Sequence, residues 1–398
     1  MDDDRVSRMI VSDLLEQWGH EVVCAEDGAA AWQHLEDDPS FSLVVTDWVM
    51  PNLDGPELCR RIRTADRTPY LPVLLSTSLD QEDHLADGLD AGADAFLSKP
   101  ISPGALAAQI RVVERILRLQ EKLEARVRSL QEAHDCIERD LRAAAEVQMS
   151  HLPNTPPALP SVEFAWVYDA CQTLGGDMFN VFRLDEKHVG VYILDVSGHG
   201  TSAALLSVSL SRALVPNPQQ GGILKRELSE PPYYEIVSPA EVAAELNRRF
   251  QLILQSGHFC TFLYAVLDLE SREVRYVSAG HPGPIRVEGD AAEARAEHDE
   301  RAGGIPIGVL EDAEYEEEVM QLQPGAQVVL YTDGVNEAAN PEGEQFGTQR
   351  ILGILSENHT AKGHGVEGSI QALRKGLIEF SKGKGQLDDI TIVGIGFI

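Results

Sequence analysis

Two groups of acidic residues stand where this chain could do chemistry. In the first, Asp47 closes the apolar run 41–46 and is followed by Met50-Pro51 and Asp54-Gly55. Asp2 and Asp3 form an acidic pair ahead of a helical pattern. Thr77 follows the apolar stretch 72–76, and Lys99 precedes Pro100. Three carboxylates suit a hard cation such as Mg²⁺. A lysine and a threonine hydroxyl can meet the oxygens of a phosphoryl group carried by Asp47. In the second group, Asp177 sits in Gly175-Gly176-Asp177 and Asp195 ends the strand-like run 189–194. Asp333 opens Asp333-Gly334, and Asp388-Asp389 precede the run 391–396. Carboxylates at strand ends, with glycines that allow close backbone approach, suit a centre of two Mg²⁺ or Mn²⁺ ions.

The elements that must position the first group alternate. Helical patterns are expected over 4–18, 29–35, 56–63 and 84–91, and strands over 20–24, 41–46, 72–76 and 95–97. Short apolar strands between helices imply a parallel, doubly wound α/β sheet, which gathers ligands at the carboxyl ends of its strands. The second group falls in an α+β pattern. Strands are expected at 189–196, 262–267, 274–278, 327–332 and 391–396, with helices at 202–214, 239–256, 349–355 and 369–380. The stretch 216–237 reads as an extended surface loop.

Between them, 102–150 reads as one long helix without internal proline. Ile116, Leu123, Leu130, Ile137 and Ala144 fall seven apart, and so do Val113, Gln120, Val127, His134, Leu141 and Gln148. Sustained heptads imply a dimeric coiled coil, in which Gln120 and His134 would set register. The plainer alternative is an amphipathic helix packed on its own domain.

Charge follows the same division. The formal net charge is −31, with −14 over 1–104, zero over 105–150 and −17 over 151–398. Such an acidic chain is a poor partner for nucleic acid or anionic membrane. No apolar run is long enough to span a bilayer. The five cysteines are scattered, without a C-x-x-C pair, which fits a reducing, cytoplasmic setting. The domains are therefore drawn at 1–104, 105–152 and 153–398.

The first set resembles response-regulator receiver domains, with a flavodoxin-like fold. The resemblance rests on Asp2-Asp3, Thr46-Asp47, Met50-Pro51, Asp54-Gly55, Thr77, Phe96 and Lys99-Pro100. It implies that Asp47 accepts a phosphoryl group from a histidine kinase. Mg²⁺ would be held by Asp2, Asp3, Asp47 and the carbonyl near Val49, and Thr77 and Phe96 would form the switch pair beside Lys99. That family has a strand before the acidic pair. Only Met1 stands there here, so the expectation is a natural start further upstream or a fold that tolerates the gap.

The second set resembles PPM (PP2C-type) serine/threonine phosphatases of the SpoIIE and RsbU-like branch. The stretches that carry it are GGDMFNVFRL, DVSGHGTSAALL, SAGHPGPI, GGIPIGV, YTDGVNEA, FGTQRI and LDDITIV. It implies an α+β sandwich in which Asp177 and Asp195 bind one cation. Asp195, the Val196 carbonyl, Asp333 and Asp388 serve the other, with Asp389 as a further ligand or a supporting group. Water acidified by the two cations would attack phosphorus in line, without a phosphoenzyme. Phe179-Asn180 departs from the branch's usual Tyr-Asp. His199 and His281 read as loop-structuring residues. The stretch 141–152, with Glu146, Gln148 and Leu152, resembles the regulatory helix of this branch.

The whole layout resembles the RssB-type regulators of pseudomonads. The receiver and SpoIIE/RsbU-like resemblances together imply a phosphorylation-controlled protein phosphatase acting on a phosphorylated STAS-type anti-sigma-factor antagonist, whereas the RssB resemblance carries the adaptor alternative. A histidine kinase would be the phosphodonor, a sigma factor a further partner, and the stalk would make a homodimer. The alternative is a non-catalytic adaptor that binds a sigma factor.

Overall fold

The computed structural model describes all residues except 66–69, 79–81, 199, 252–256, 290–293 and 360–364, and the side chains of 82–85. It divides into two compact units, Met1–His134 and Asp135–Ile398. The boundary falls inside one long helix.

In the first unit, α1 (Arg5–Gln17), α2 (Gly28–Asp37), β1 (Val44–Asp47), α3 (Gly55–Thr64), β2 (Val73–Ser78), α4 (Glu82–Asp90) and β3 (Ala95–Lys99) alternate as expected. The strands form a parallel sheet in the order β1-β2-β3. Helix starts are written locally. The Asp4 carboxylate accepts from Val6 and Ser7 N–H, and that of Asp54 accepts from Glu57 N–H, with Pro56 in the first turn. Val73, Leu74 and Leu75 are fully buried, each contributing about 1.5–3 kcal/mol of apolar transfer.

The strand expected at 20–24 does not form. That segment and β1 both line a cavity of about 370 Å³, with Met1, Leu15, Ile101 and Ile110. Val22 and Val45 pack against the same apolar cluster, but no ladder joins the segment to β1 among the described residues. Met1 occupies the position beside β1. Its ammonium donates to the Val45 carbonyl at 2.8 Å, and Asp47 N–H donates to the Met1 carbonyl at 3.0 Å. Those bonds draw Asp2 to the sheet's carboxyl edge.

Helix α5 runs unbroken from Pro103 to Met149. In the first unit Leu106, Ile110 and Val113 are buried, whereas Ile116, Leu123 and Leu130 are 41%, 64% and 68% exposed. Ile137, past the boundary, is 59% exposed.

The second unit is a sandwich of two antiparallel sheets. One has the order β13-β10-β9-β6-β5, comprising Glu318–Gln321, Glu273–Ala279, Cys260–Asp268, His188–Val196 and Met178–Arg183. The other has the order β12-β11-β14-β15-β4, comprising Arg295–His298, Ile285–Glu288, Gln327–Tyr331, Ile390–Phe397 and Val162–Asp169. Strand alternation divides the side chains. Ile193, Leu263, Leu330 and Val393 meet between the sheets. Leu194 and Phe262 face α6 (Thr201–Ala213) and α7 (Pro239–Arg249). Tyr331 and Ile392 face α9 (Gly347–His359) and α10 (Val366–Ser381), and the short α8 (Asp333–Asn336) follows β14.

The stretch 216–237 is not simply extended. It holds a two-stranded hairpin, β7 (Lys225–Glu227) with β8 (Tyr234–Ile236), across which Lys225 and Tyr234 pack as cation on ring at 4.1 Å. The helix expected over 239–256 ends at Arg249, with Phe250 as its C-cap and a turn at 250–251, and 252–256 lie outside the described residues. His199 also lies outside them.

Candidate functional sites

The first site lies at the carboxyl edge of the parallel sheet. Asp2, Asp3 and Asp47 each bring a carboxylate oxygen within 4.8 Å of the others. Lys99 Nζ is 2.7 Å from Asp47 Oδ2 and 2.9 Å from Asp2 Oδ2. Burial opposes the charge on Lys99, but its bonds to Asp47 and Asp2 outweigh that and hold its pKa above the usual lysine value. Thr77 does not reach Asp47; its hydroxyl lies 3.5 Å from the Ser78 carbonyl. The buried Ser76 hydroxyl reaches it instead, donating to Asp47 Oδ1 at 3.2 Å. Nothing in the sequence separated Ser76 from an ordinary strand serine. The Phe96 ring packs near Trp48, centroids 6.5 Å apart, and Val49 is exposed. The hard-oxygen trio with one lysine fits a Mg²⁺ ion and the charge of a phosphoryl group.

The second site lies at one end of the sandwich. Asp195 is two residues beyond Ile193 on β6, so it points between the sheets. Asp177 is buried there as well. Its Oδ2 accepts from Thr332 Oγ1 at 2.8 Å and Thr391 Oγ1 at 2.6 Å, two hydroxyls of the opposite sheet's β14 and β15 ends. Asp389 builds the turn that carries Asp177. Its carboxylate accepts from Cys171 N–H at 2.8 Å, Gly176 N–H at 2.6 Å and Asp177 N–H at 3.3 Å. Asp388 Oδ1 accepts from Asp389 N–H at 2.9 Å.

Two glycines make this approach possible. A Cβ on Gly176 would stand 2.7 Å from the Val196 carbonyl oxygen, and one on Gly334 would collide with the Asp389 backbone.

Burial and mutual repulsion push the carboxylates of Asp177, Asp195 and Asp333 up. Asp195 rises to about 8, through burial and then the charges of Asp333, Asp388 and Asp389. Asp333 rises to about 6, through burial and then Asp388 and Glu337. Asp177 also rises, through burial and the charge of Asp195. Packed anions with no lysine or arginine ion-paired to Asp177, Asp195 or Asp333 among the described residues are a donor set for cations.

The end of α5 touches this site. Gln148 is 4% exposed. Its Nε2 donates to the Gly175 carbonyl at 2.7 Å, and its Oε1 accepts from Gly175 N–H at 3.3 Å. Leu152 packs against the sandwich core, whereas Glu146 is exposed. Asn180 and Phe179 stand away from the acids. Asn180 Oδ1 accepts from Val181 N–H, and the Phe179 ring lies 5.7 Å from Trp166.

A parallel α/β unit with three aspartates and a lysine at its carboxyl edge, followed by a two-sheet sandwich with acids at one end, is the layout of a regulator with an attached effector domain. The chain belongs to the stage II sporulation protein E (SpoIIE) family, whose profile matches residues 185–397, and carries a response regulator receiver domain over 1–111. It is 31% identical over 201 residues to phosphoserine phosphatase RsbP of Bacillus subtilis, covering 50% of this chain and 45% of that one. It is 30% identical over 114 residues to chemotaxis protein CheY1 of Helicobacter pylori, covering 28% and 92%. The SiaA-PP2C domain of Pseudomonas aeruginosa superposes with a TM-score of 0.54 at 20% identity, covering 67% of this chain and 99% of that one, and shares the fold. The chain spans about half the length of the first curated relatives it matches. No described helix is long and apolar enough to cross a membrane.

Proposed function

We propose that this chain is a two-component response regulator whose phosphorylation at Asp47 controls a metal-dependent protein serine/threonine phosphatase. The observation that carries the reading is the convergence of Asp177, Asp195, Asp333 and Asp388 at one sandwich end, the first three with pKa values raised by burial and repulsion. Division into a receiver (1–104), a stalk (105–152) and a phosphatase domain (153–398) belongs to this proposal.

In the receiver, an oxygen of Asp47 takes the phosphoryl group as the phosphohistidine P–N bond of a histidine kinase breaks. Lys99 and Asp2 stand beside that oxygen. Asp2, Asp3, Asp47 and the Val49 carbonyl would hold Mg²⁺.

In the phosphatase, Asp177, Asp195, the Val196 carbonyl, Asp333 and Asp388 would hold two Mn²⁺ or Mg²⁺ ions. When bound, such ions acidify water and neutralise the phosphoryl oxygens. The chain's own part is orientation. Thr332 and Thr391 fix Asp177, and Asp389, its oxygens taken by backbone N–H groups, fixes the Gly176-Asp177 turn rather than adding a ligand. Water adds to phosphorus, the seryl or threonyl oxygen leaves with the electron pair, and no phosphoenzyme forms.

The substrate we assign is a phosphorylated STAS-type anti-sigma-factor antagonist, with a sigma factor as a downstream partner. The resemblance to the phosphoserine phosphatase RsbP supports this assignment. The exposed heptad row of α5 supports a homodimer through the stalk. Gln148 and Leu152 would carry the state of that stalk to Gly175 and the adjoining turn. An intact set of acids weighs against the adaptor reading.

The deciding experiment is Mn²⁺-dependent hydrolysis of p-nitrophenyl phosphate by wild type and Asp195→Ala. Turnover lost in the variant supports the phosphatase, and no turnover by wild type overturns it. Wild type and Asp47→Ala, each with and without beryllofluoride, then test control by the receiver. Identical rates throughout would remove the coupling.

A further inference from the structure

The receiver chemistry leaves one buried hydroxyl without a part. Ser76, on β2, is 2% exposed and is the direct cross-strand partner of Asp47. Its Oγ lies 3.2 Å from Asp47 Oδ1 and 3.3 Å from the Thr46 carbonyl oxygen, and donates to both. A hydroxyl has one hydrogen, so the two acceptors share it.

The two oxygens of Asp47 therefore have different neighbours. Oδ2 meets the Lys99 ammonium at 2.7 Å, and the Lys99 side chain is 26% exposed. Oδ1 meets Ser76 on the buried side. A phosphoryl donor arrives from solvent, so Oδ2 takes the group and Oδ1 becomes the carbonyl oxygen of the acyl phosphate.

The charge on Oδ1 then differs between the two states. A carboxylate accepts a charge-assisted hydrogen bond, roughly twice as strong as one to a neutral acceptor. The acyl phosphate carbonyl is neutral. In that state the shared hydrogen turns to the Thr46 carbonyl, so no buried donor is left unpaired. Hydrolysis reverses the change. A water oxygen adds to phosphorus, the P–Oδ2 bond breaks, and its electron pair returns to the Asp47 carboxylate. One proton of the water stays on the phosphate released, and the other goes to solvent. The transition state of such a transfer is loose, so the carboxylate charge is largely restored at the barrier. A donor that binds the carboxylate better than the acyl phosphate speeds that step.

We propose that Ser76 sets the lifetime of the phosphoryl group on Asp47: its hydrogen bond to Oδ1 stabilises the departing carboxylate and shortens the phosphorylated state. Ser76 acts through Asp47 and does not touch phosphorus, so it is a positioning residue. The proposal rests on Asp47 being the phosphoryl acceptor, as in the proposed function. It carries an asymmetry. In uptake the carboxylate enters a loose transition state with its charge nearly intact, so the hydrogen bond is about as strong there as before. Uptake therefore gains little from Ser76.

The test is labelling of the full chain with radioactive acetyl phosphate and Mg²⁺, followed by rapid desalting and timed loss of label. Ser76→Ala removes the donor at nearly the same size. Ser76→Thr keeps the hydroxyl, and the cavity of about 370 Å³ that Ser76 lines has room for the added methyl. Ser76→Ala is expected to hold its label about three- to tenfold longer than wild type, with initial uptake within about twofold. Ser76→Thr is expected to lose label at the wild-type rate.

An equal or shorter lifetime in Ser76→Ala overturns the proposal. So does a Ser76→Thr protein that holds label as long as the alanine variant. Uptake lost in Ser76→Ala but kept in Ser76→Thr also overturns it, since the hydroxyl would then shape the acceptor rather than time it. Wild type that takes no label, or label that persists in Asp47→Ala, overturns the acceptor reading and this proposal together. Labelled wild type and Ser76→Ala decaying alike overturn this proposal alone.

Discussion

Gln148 grips Gly175 from both sides, donating to its carbonyl at 2.7 Å and accepting from its N–H at 3.3 Å. The last turn of α5 is thereby fastened two residues from Asp177. Gln148→Ala removes both bonds and leaves the buried Gly175 backbone unsatisfied. The expected outcome is a loss of about 1–3 kcal/mol in stability, with turnover reduced about tenfold or more. Urea unfolding and p-nitrophenyl phosphate kinetics on the same preparation check it. Full activity in a destabilised variant would reduce the contact to packing.

The raised carboxylates make stability depend on pH. Asp195 titrates near 8 and Asp333 near 6 when folded, against about 3.9 for a free aspartate. Between those values the folded state binds more protons than the unfolded one. Stability of the metal-free protein therefore falls as pH rises from about 4 to 8. Melting at pH 5.5 is expected above melting at pH 8, and saturating Mn²⁺ is expected to flatten or reverse the difference. Asp195→Asn is expected to raise the metal-free melting temperature at pH 8.

Thr391 supplies the shorter of the two hydroxyl bonds to Asp177, at 2.6 Å, and is fully buried. Thr391→Val keeps the shape and removes the donor. A hydrogen bond to a charged group is worth about 1.5–3 kcal/mol, and that loss is expected in chemical unfolding with Mn²⁺ present. An unaltered midpoint would mean Thr332 alone holds the carboxylate.

Lys99 is the cation between Asp2 and Asp47. Lys99→Met leaves two carboxylates facing each other with their shared partner gone. Labelling by radioactive acetyl phosphate is expected to fall at least tenfold, and Asp47→Ala is expected to abolish it. Labelling of Lys99→Met at the wild-type rate would remove Lys99 from the reaction.

The exposed apolar row on α5 predicts self-association. Leu123→Glu with Leu130→Glu places charge where the seam would close. Light scattering is expected to show a dimer for wild type and a monomer for the variant. Equal masses would mean the row serves another purpose.

Much of both sites was legible because their signals are local. An aspartate ending an apolar run, a glycine beside an aspartate and a heptad row are each contained in a few residues. The hydroxyls were not legible. Ser76, Thr332 and Thr391 are ordinary strand residues in sequence, and only register puts them beside Asp47 and Asp177. The strand expected at 20–24 fails for a related reason. β propensity needs a paired neighbour to act on, and here the segment borders a cavity and pairs with no strand among the described residues. Gln148 lies in the stretch that resembles a regulatory helix, but nothing in the sequence pointed to its partner Gly175.

The bonds from Asp389 to the Gly176 and Asp177 amides cross 213 and 212 positions of the chain. Contacts of that separation close late in folding, after local structure has formed. The Gly176-Asp177 turn is thus a product of the finished sandwich. A molecule whose two sheets have condensed separately, or one cut so that β15 can leave, keeps most of its helices and strands but has no place to put a cation. Loss of metal uptake should therefore precede loss of secondary structure when this protein is unfolded gradually, which makes Mn²⁺ binding the sensitive gauge of whether a preparation is fully native.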